Sequence, residues 1–135
     1  MRCFIKFLLI LIIVLLVSCT SSESGTAEPV AAGPVVPGIP VANMVTLVDL
    51  GARSCVPCKL MAPILEELKK EYKGRAAVIF IDVWDQANQG KAKAFKIMSI
   101  PTQIFFDKEG KEVYRHLGFL GKDDIVSKLE ELLAQ

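Results

Sequence analysis

The chain has few of the residues from which metal centres and charged binding surfaces are built. Its 135 residues include four cysteines and one histidine. From residue 54 onward the cysteines and histidines are limited to Cys55, Cys58 and His116, so one monomer cannot assemble a four-ligand zinc site, and no metal is predicted. Acids and bases are interspersed at a net charge of +1, which argues against a nucleic-acid partner. The sequence also has no internal repeat, phosphate-binding glycine loop or haem-attachment motif.

A pair of cysteines two residues apart is the most informative pattern that is present. Cys55 and Cys58 fall between residues 45–50, an apolar run that predicts a strand, and residues 56–72, which predict a helix. A helix N-terminus favours an anionic sulfur, because its N–H groups lack partners and its dipole is positive there. The spacing puts Cys58 about one turn inside the helix, within reach of a disulfide. We therefore predict Cys55 as a nucleophile and Cys58 as the thiol that resolves a mixed disulfide.

The rest of the pattern predicts one small α/β domain over residues 44–135. Strands separated by helices pair in parallel, whereas the turn at residues 107–110 makes the last two strands antiparallel. The predicted order is βαβαββα around a four-stranded mixed sheet. Its strands are residues 45–50, 76–83, 102–107 and 111–116, and its helices are residues 56–72, 87–95 and 122–133.

Four segments of this domain resemble the thioredoxin family. They are "TLVDLGA", "CVPCKLMAPILEEL", "SIPTQIFF" and "HLGFLGKDDI", in that order along residues 45–135. The resemblance implies a thioredoxin-like three-layer sandwich, trimmed of the strand and helix that full thioredoxins carry before the active strand. It also implies thiol-disulfide exchange, with no cofactor other than the Cys55–Cys58 disulfide.

The resemblance also assigns a substrate-binding surface. It implies that Pro101 is a cis proline facing the disulfide, and that Ile100 offers backbone groups to an extended substrate peptide. Val56 and Pro57, between the cysteines, belong to the same predicted surface. The alternative for Pro101 is a proline that only opens a strand. Proline rather than histidine at position 57 favours a reductant, because histidine there makes the disulfide more oxidising.

Asp49 is a carboxylate within an otherwise apolar strand. Burial would raise its pKa and make it a proton acceptor for Cys58 during resolution. Thioredoxins place an aspartate at the matching position with that role. The alternative is that Asp49 faces solvent at the strand end.

Aromatic residues are scarce around the cysteines. Gly51 and Ser54 stand where thioredoxins usually carry tryptophan, which predicts a less aromatic rim. Trp84, the only tryptophan, is predicted to pack in the core rather than to cover a groove near the site.

The first 19 residues predict export. Arg2 and Lys6 precede an apolar run over residues 7–17, which is short for a bilayer span and typical of a secretory signal. The run ends in "LVSC", which resembles the bacterial lipobox and implies cleavage and lipid attachment at Cys19. A retained N-terminal helix is the alternative. In both cases the domain is predicted to be membrane-anchored and to face the periplasm or the cell exterior.

Residues 20–43 are rich in serine, alanine, glycine and proline and predict a flexible linker. The alternative is an edge strand over residues 35–41, limited by its prolines. We predict a monomeric oxidoreductase that reduces disulfides in exported proteins or apocytochromes, with electrons from a membrane thiol carrier. The alternative function is a binding protein that holds Cu(I) between Cys55 and Cys58.

Overall fold

The structure, a computed structural model, describes residues 36–135. The predicted signal peptide, the lipid attachment at Cys19 and residues 20–35 of the predicted linker lie outside the described residues. Within the described range, no helix has the length and apolar character needed to cross a bilayer.

The order of elements is the predicted βαβαββα. Boundaries agree with the prediction to within one or two residues, except that the middle helix begins as a 3-10 turn over Gln86–Asn88. The strands are β1 Val45–Gly51, β2 Ala76–Asp82, β3 Thr102–Phe106 and β4 Glu112–Leu117, and the helices are α1 Val56–Glu71, α2 Gln89–Ala94 and α3 Lys122–Leu133.

The four strands form one mixed sheet in the order β2-β1-β3-β4. β1 runs parallel to β2 and antiparallel to β3, and β3 runs antiparallel to β4. The register places Asp49 between Phe80 on β2 and Gln103 on β3. The site carboxylate therefore lies on the central strand, with a neighbouring strand on each side.

Alternation along β1 divides the core into two clusters, one on each face of the sheet. Val45 and Leu47 belong to the cluster that contains the buried residues of α1 and α3. Val48 and Leu50 belong to the cluster on the opposite face, which Phe95 after α2 completes. These two clusters give the predicted three-layer, thioredoxin-like arrangement.

α1 is an amphipathic helix with a proline in its first turn. Pro57 suits that position because its missing N–H would have no helical partner there. The buried side chains recur every three to four residues and face the sheet. They are Cys58, Met61, Leu65 and Leu68.

Residues 36–43 depart from the linker prediction. Val36 is buried and Ile39 packs against the same cluster, and the two residues form a single isolated bridge rather than an edge strand. The hydroxyl oxygen of Thr46 accepts the N–H of Val41 at 3.1 Å, which ties the segment to β1. This part of the predicted linker is thus packed on the domain, because two apolar side chains flank its turn.

Candidate active site

The two cysteines lie at the junction between β1 and α1. Cys55 precedes the helix with φ and ψ of −75° and 128°, and its N–H donates to the Ala52 carbonyl at 3.1 Å. Its own carbonyl accepts the N–H of Lys59 at 3.0 Å, which starts the helical bonding. Cys58 is only 4% exposed, whereas Cys55 is partly exposed, and both are free thiols. An accessible sulfur therefore stands in front of an enclosed one.

The enclosed thiol is a weak acid. The pKa of Cys58 is raised to about 11, chiefly by burial and also by the hydrogen bond with Cys55 and the charge of Asp49, while a backbone hydrogen bond with Ala52 lowers it in part. At neutral pH Cys58 is consequently protonated. It cannot begin an exchange reaction, and it needs a proton acceptor before it can resolve one.

A buried carboxylate lies on β1. Asp49 is fully buried, so the solvent-facing alternative does not hold. Burial raises its pKa and a hydrogen bond from Gln103 lowers it in part, which together leave the pKa at about 6. This bond joins Gln103 Nε2 to Asp49 Oδ1 at 2.7 Å. At pH 7 Asp49 is thus a largely ionised carboxylate in an apolar surrounding, and its charge contributes to the raised pKa of Cys58.

The predicted proline loop lies at the same end of the sheet as the cysteines. The Ile100–Pro101 peptide bond is cis, as the resemblance implies. Thr102, the next residue, pairs with Leu50 at the end of β1 that leads into the cysteine turn. The carbonyl of Pro101 accepts the N–H of Gly118 at 2.8 Å. The loop is therefore fixed to β4 on one side and adjoins the cysteine turn on the other.

Asp82 braces the turn that carries the cysteines, and sequence reasoning did not single it out. Its carboxylate accepts the N–H of Arg53 at 3.4 Å and the N–H of Trp84 at 3.1 Å. The Arg53 side chain approaches the same carboxylate at 3.7 Å. The N–H of Val83 also bonds the carbonyl of Gly51 at 2.9 Å. An acidic residue that closes an apolar strand was the available signal.

Exposed apolar side chains lie next to Cys55, in the loop before Pro101 and after β2. Val56 and Met98 are exposed, and Pro57 is partly exposed. Trp84 is 63% exposed, so the prediction that it packs in the core is wrong. It follows β2 at an exposed position, where its N–H is held by Asp82.

The described residues contain no cluster of three or more His, Cys, Asp or Glu side chains that could hold a metal ion. Cys55 and Cys58 alone would supply two thiolates. His116 does not add a third ligand, because its Nε2 lies 3.2 Å from the carbonyl oxygen of Phe119.

Comparison with known proteins matches the thioredoxin family model to residues 39–131. This chain belongs to the thioredoxin family. A thioredoxin of Staphylococcus saprophyticus is 43% identical over 89 residues, which cover 66% of this chain and 83% of that protein. A Staphylococcus aureus thioredoxin is 41% identical over 93 residues, covering 69% of this chain and 86% of the relative. A solved mutant thioredoxin from Halobacterium salinarum NRC-1 has a TM-score of 0.60 at 32% identity, covering 67% of this chain and 76% of its own.

Membership of the thioredoxin family supports thiol-disulfide oxidoreductase activity on disulfide-containing proteins. Thioredoxins use no cofactor, since the cysteine pair itself is the redox group. The geometry agrees with this chemistry, because Cys55, Cys58 and Asp49 meet where β1 enters α1.

Gly51 leaves room for the Cys58 side chain against β1. A Cβ at this position would come within 3.1 Å of the Cys58 sulfur and of the Phe80 ring. A cavity of about 340 Å³ opens beside Cys58. It is lined by the apolar residues Ala52, Ala62, Leu65 and Phe80, and by the charged residues Arg53, Lys59 and Glu66. The absence of a side chain at position 51 thus lets Cys58 lie directly against the strand.

Proposed function

We propose that this protein is a membrane-anchored, extracytoplasmic thiol-disulfide oxidoreductase that reduces protein disulfides through Cys55 and Cys58. The observation that carries the proposal is the order of three groups from the surface to the interior. A partly exposed Cys55 precedes α1, a protonated Cys58 is enclosed one turn further in, and a buried ionised Asp49 lies on the strand beside it.

The reaction follows from this order. The Cys55 thiolate attacks one sulfur of the substrate disulfide, and the other substrate sulfur leaves as a thiolate. Cys58 then gives its proton to Asp49, and the new thiolate attacks Cys55 in the mixed disulfide. The Cys55–Cys58 disulfide forms, and the second substrate sulfur leaves. Two electrons pass from the cysteine pair to the substrate.

Substrate recognition is proposed at the two sides of this sulfur. Val56 and Pro57 present apolar surface next to Cys55. The partly exposed Ile100, joined by a cis bond to the buried Pro101, would form the other edge. An extended peptide placed between these sides would bring its disulfide to Cys55. The substrates we propose are disulfide-containing exported proteins or apocytochromes, acted on by a monomer.

The reducing direction is supported by the residue before Cys58. Pro57 contributes no charge that would stabilise a thiolate, whereas a histidine there would favour the reduced pair and make the disulfide a stronger oxidant. We expect a reduction potential nearer that of thioredoxin, about −270 mV, than that of periplasmic oxidants, about −120 mV. Equilibration with glutathione or dithiothreitol buffers measures it, and a value near the oxidants would reverse the assigned direction.

The location outside the cytoplasm is supported by the sequence of residues 1–19. Acylation at Cys19 would hold the domain at a membrane, where a membrane thiol carrier could supply electrons. The Cys19→Ala variant should move from the membrane fraction to the soluble fraction. Mass spectrometry of the mature N-terminus should find a lipid-modified cysteine in the natural protein.

The activity itself is tested with insulin as the disulfide substrate. Cys55→Ser should abolish reduction, because the accessible thiol of the Cys55–Cys58 pair is lost. Cys58→Ser should instead accumulate the mixed disulfide on Cys55, since the first attack remains possible. Equal loss without a trapped adduct in Cys58→Ser would contradict the assignment of the two roles.

A further inference from the structure

A buried amide faces the site carboxylate from the neighbouring strand. Gln103 on β3 is the register partner of Asp49 on β1, and both side chains are fully buried. Gln103 Nε2 donates to Asp49 Oδ1 at 2.7 Å and also lies 3.1 Å from the Met61 sulfur. The glutamine therefore touches the carboxylate directly, from β3, whereas Phe80 flanks Asp49 from β2.

The same amide is poorly suited to stabilising the fold. Gln103 Oε1 and Asp49 Oδ2 have no hydrogen-bond partner among the described residues. Burying polar atoms in this state is unfavourable, and an apolar residue would fill the position without that cost. Gln103 thus resembles a residue kept for what it does to Asp49, whose Oδ2 is left free to accept a proton.

We propose that Gln103 is a positioning residue that holds the Asp49 carboxyl group, through Oδ1, so that Oδ2 receives the Cys58 proton during resolution. The inference rests on the proposed function, because it concerns the second step of the same exchange. In that step the Cys58 S–H bond breaks and an O–H bond forms on Asp49. The sulfur electron pair then forms the bond to Cys55, and the substrate thiolate carries away the electrons of the broken bond.

Few other groups that face Asp49 could replace the hydrogen bond from Gln103. From α1 the only titratable one is Cys58, beside the thioether of Met61. From β2 the register partner is the uncharged Phe80, and from β3 it is Gln103 itself.

Other charged or titratable groups lie further out. His116 on β4 is paired with Gln103 rather than with Asp49. Arg53 and Lys59 line the cavity beside Cys58. On the α3 side, Asp124 and Lys128 line a separate pocket with His116. The hydrogen bond from Gln103 is therefore the principal polar contact that opposes the effect of burial on Asp49.

The test uses an aromatic disulfide that releases a coloured thiolate at each step. Mixed with the reduced protein, it should give a first phase when Cys55 attacks and a second when Cys58 resolves the adduct. In Gln103→Met, which keeps the length but removes the donor, we expect the first phase to be unchanged. The second should slow about 2- to 10-fold at pH 7, and its acid limb should move up by about one to two pH units.

Three comparisons keep the result specific. Met61→Leu removes the sulfur contact of the same amide and should leave both phases unchanged. In the Asp49→Asn background, Gln103→Met should add no further slowing. Gln103→Leu provides a second apolar variant if Gln103→Met folds poorly. Infrared titration of the Asp49 carboxyl in either variant should show that its pKa has risen by the same amount as the acid limb of the second phase.

The outcomes separate this inference from the proposed function. A second phase whose pH profile is unmoved in Gln103→Met, with an unchanged Asp49 titration, overturns the role of Gln103 and leaves thiol exchange intact. A natural protein that releases only one thiolate per molecule and keeps a stable adduct on Cys55 overturns the proposed function itself.

Discussion

At the scale of single residues, the site combines two acidic groups that hold their protons more tightly in the folded protein than they would in water. Burial raises the pKa of both Asp49 and Cys58. The two differ in the result, because at pH 7 the carboxylate has lost its proton while the thiol has kept it. One buried group is thus ready to accept what the other must release.

The raised pKa of Asp49 makes this residue a source of instability at neutral pH. Between its ordinary value of 3.8 and about 6 the folded state binds more protons than the unfolded state, so stability falls as the pH rises through this range. The displacement corresponds to about 3 kcal/mol. We expect Asp49→Asn to unfold in urea with about 2 to 3 kcal/mol more stability at pH 7, and with little difference near pH 4.

The control for this prediction is Asp107→Asn, which changes a partly exposed aspartate at the β3–β4 turn. It should show no comparable gain at pH 7. An Asp49→Asn variant no more stable than the natural protein at pH 7 would contradict the prediction.

The thiols should differ sharply in alkylation. With a pKa of about 11 for Cys58, about one thiol in 10⁴ is ionised at pH 7. Iodoacetamide should therefore give a single adduct on Cys55 in the folded reduced protein, and a second adduct only after unfolding. Peptide mapping by mass spectrometry identifies the site, and comparable labelling of Cys58 in the folded Cys55→Ser variant would contradict the prediction.

Residue identity predicted part of this site. Asp49 and the cysteine pair were recognisable because each breaks the local rule of an apolar strand or sits at a predicted helix start. Gln103 carried a similar signal, an amide within the apolar strand "TQIFF". Its contact with Asp49 could not be read from the chain, because the register of β1 against β3 decides it.

At the scale of elements, α1 and α3 are joined by a polar contact at their outer ends. The hydroxyl of Tyr72 donates to Glu130 Oε1 at 2.8 Å, and the Arg75 guanidinium donates to Glu130 Oε2 at 2.9 Å. Burial, together with the bond to Glu130, raises the pKa of Tyr72 to about 12. Tyr72 also packs in the cluster shared by both helices.

Removing this hydroxyl should loosen the pair of helices. Tyr72→Phe keeps the ring but loses the bond to Glu130, so we expect it to lower the free energy of unfolding by about 1 kcal/mol in urea. Glu131→Gln, which removes the exposed pair with Lys128, is the matched control and should have no measurable effect. Equal stability of Tyr72→Phe and the natural protein would show that the contact contributes nothing.

The elements themselves were largely predictable. Alternation in β1 and the three-to-four spacing in α1 are strong periodic signals, and the turn "DKEG" marked the hairpin between β3 and β4. The middle helix was less well predicted, since its first turn is 3-10 and is capped by Asp85, which accepts the N–H of Ala87 at 2.9 Å. A short helix with no buried side chain has no periodic face to mark its start.

At the scale of the whole molecule, the described domain extends before β1. Val36 and Ile39 belong to the core cluster on the α2 side of the sheet. Composition favoured a linker here, because prolines and glycine dominate the segment, and two isolated apolar residues give no periodic pattern. Only the folded sheet provides the surface that they cover.

This packing should be measurable. The double variant Val36→Ala and Ile39→Ala should lower the free energy of unfolding by about 2 kcal/mol, because methyl groups leave the core. Val113→Ala, at an exposed position on β4, should cost much less. Disulfide exchange at Cys55 should be unaffected in all three chains, and a double variant as stable as the natural protein would restore the linker description for residues 36–43.

The enclosure of Cys58 determines where an electron donor can react with the oxidised protein. Once the two sulfurs are bonded, an incoming donor of electrons meets only the Cys55 sulfur, because the other lies behind it. The electron donor that regenerates the protein must therefore attack the same sulfur that reacts with the substrates. Donor and substrate then compete for this one site, and an excess of either should slow the reaction of the other.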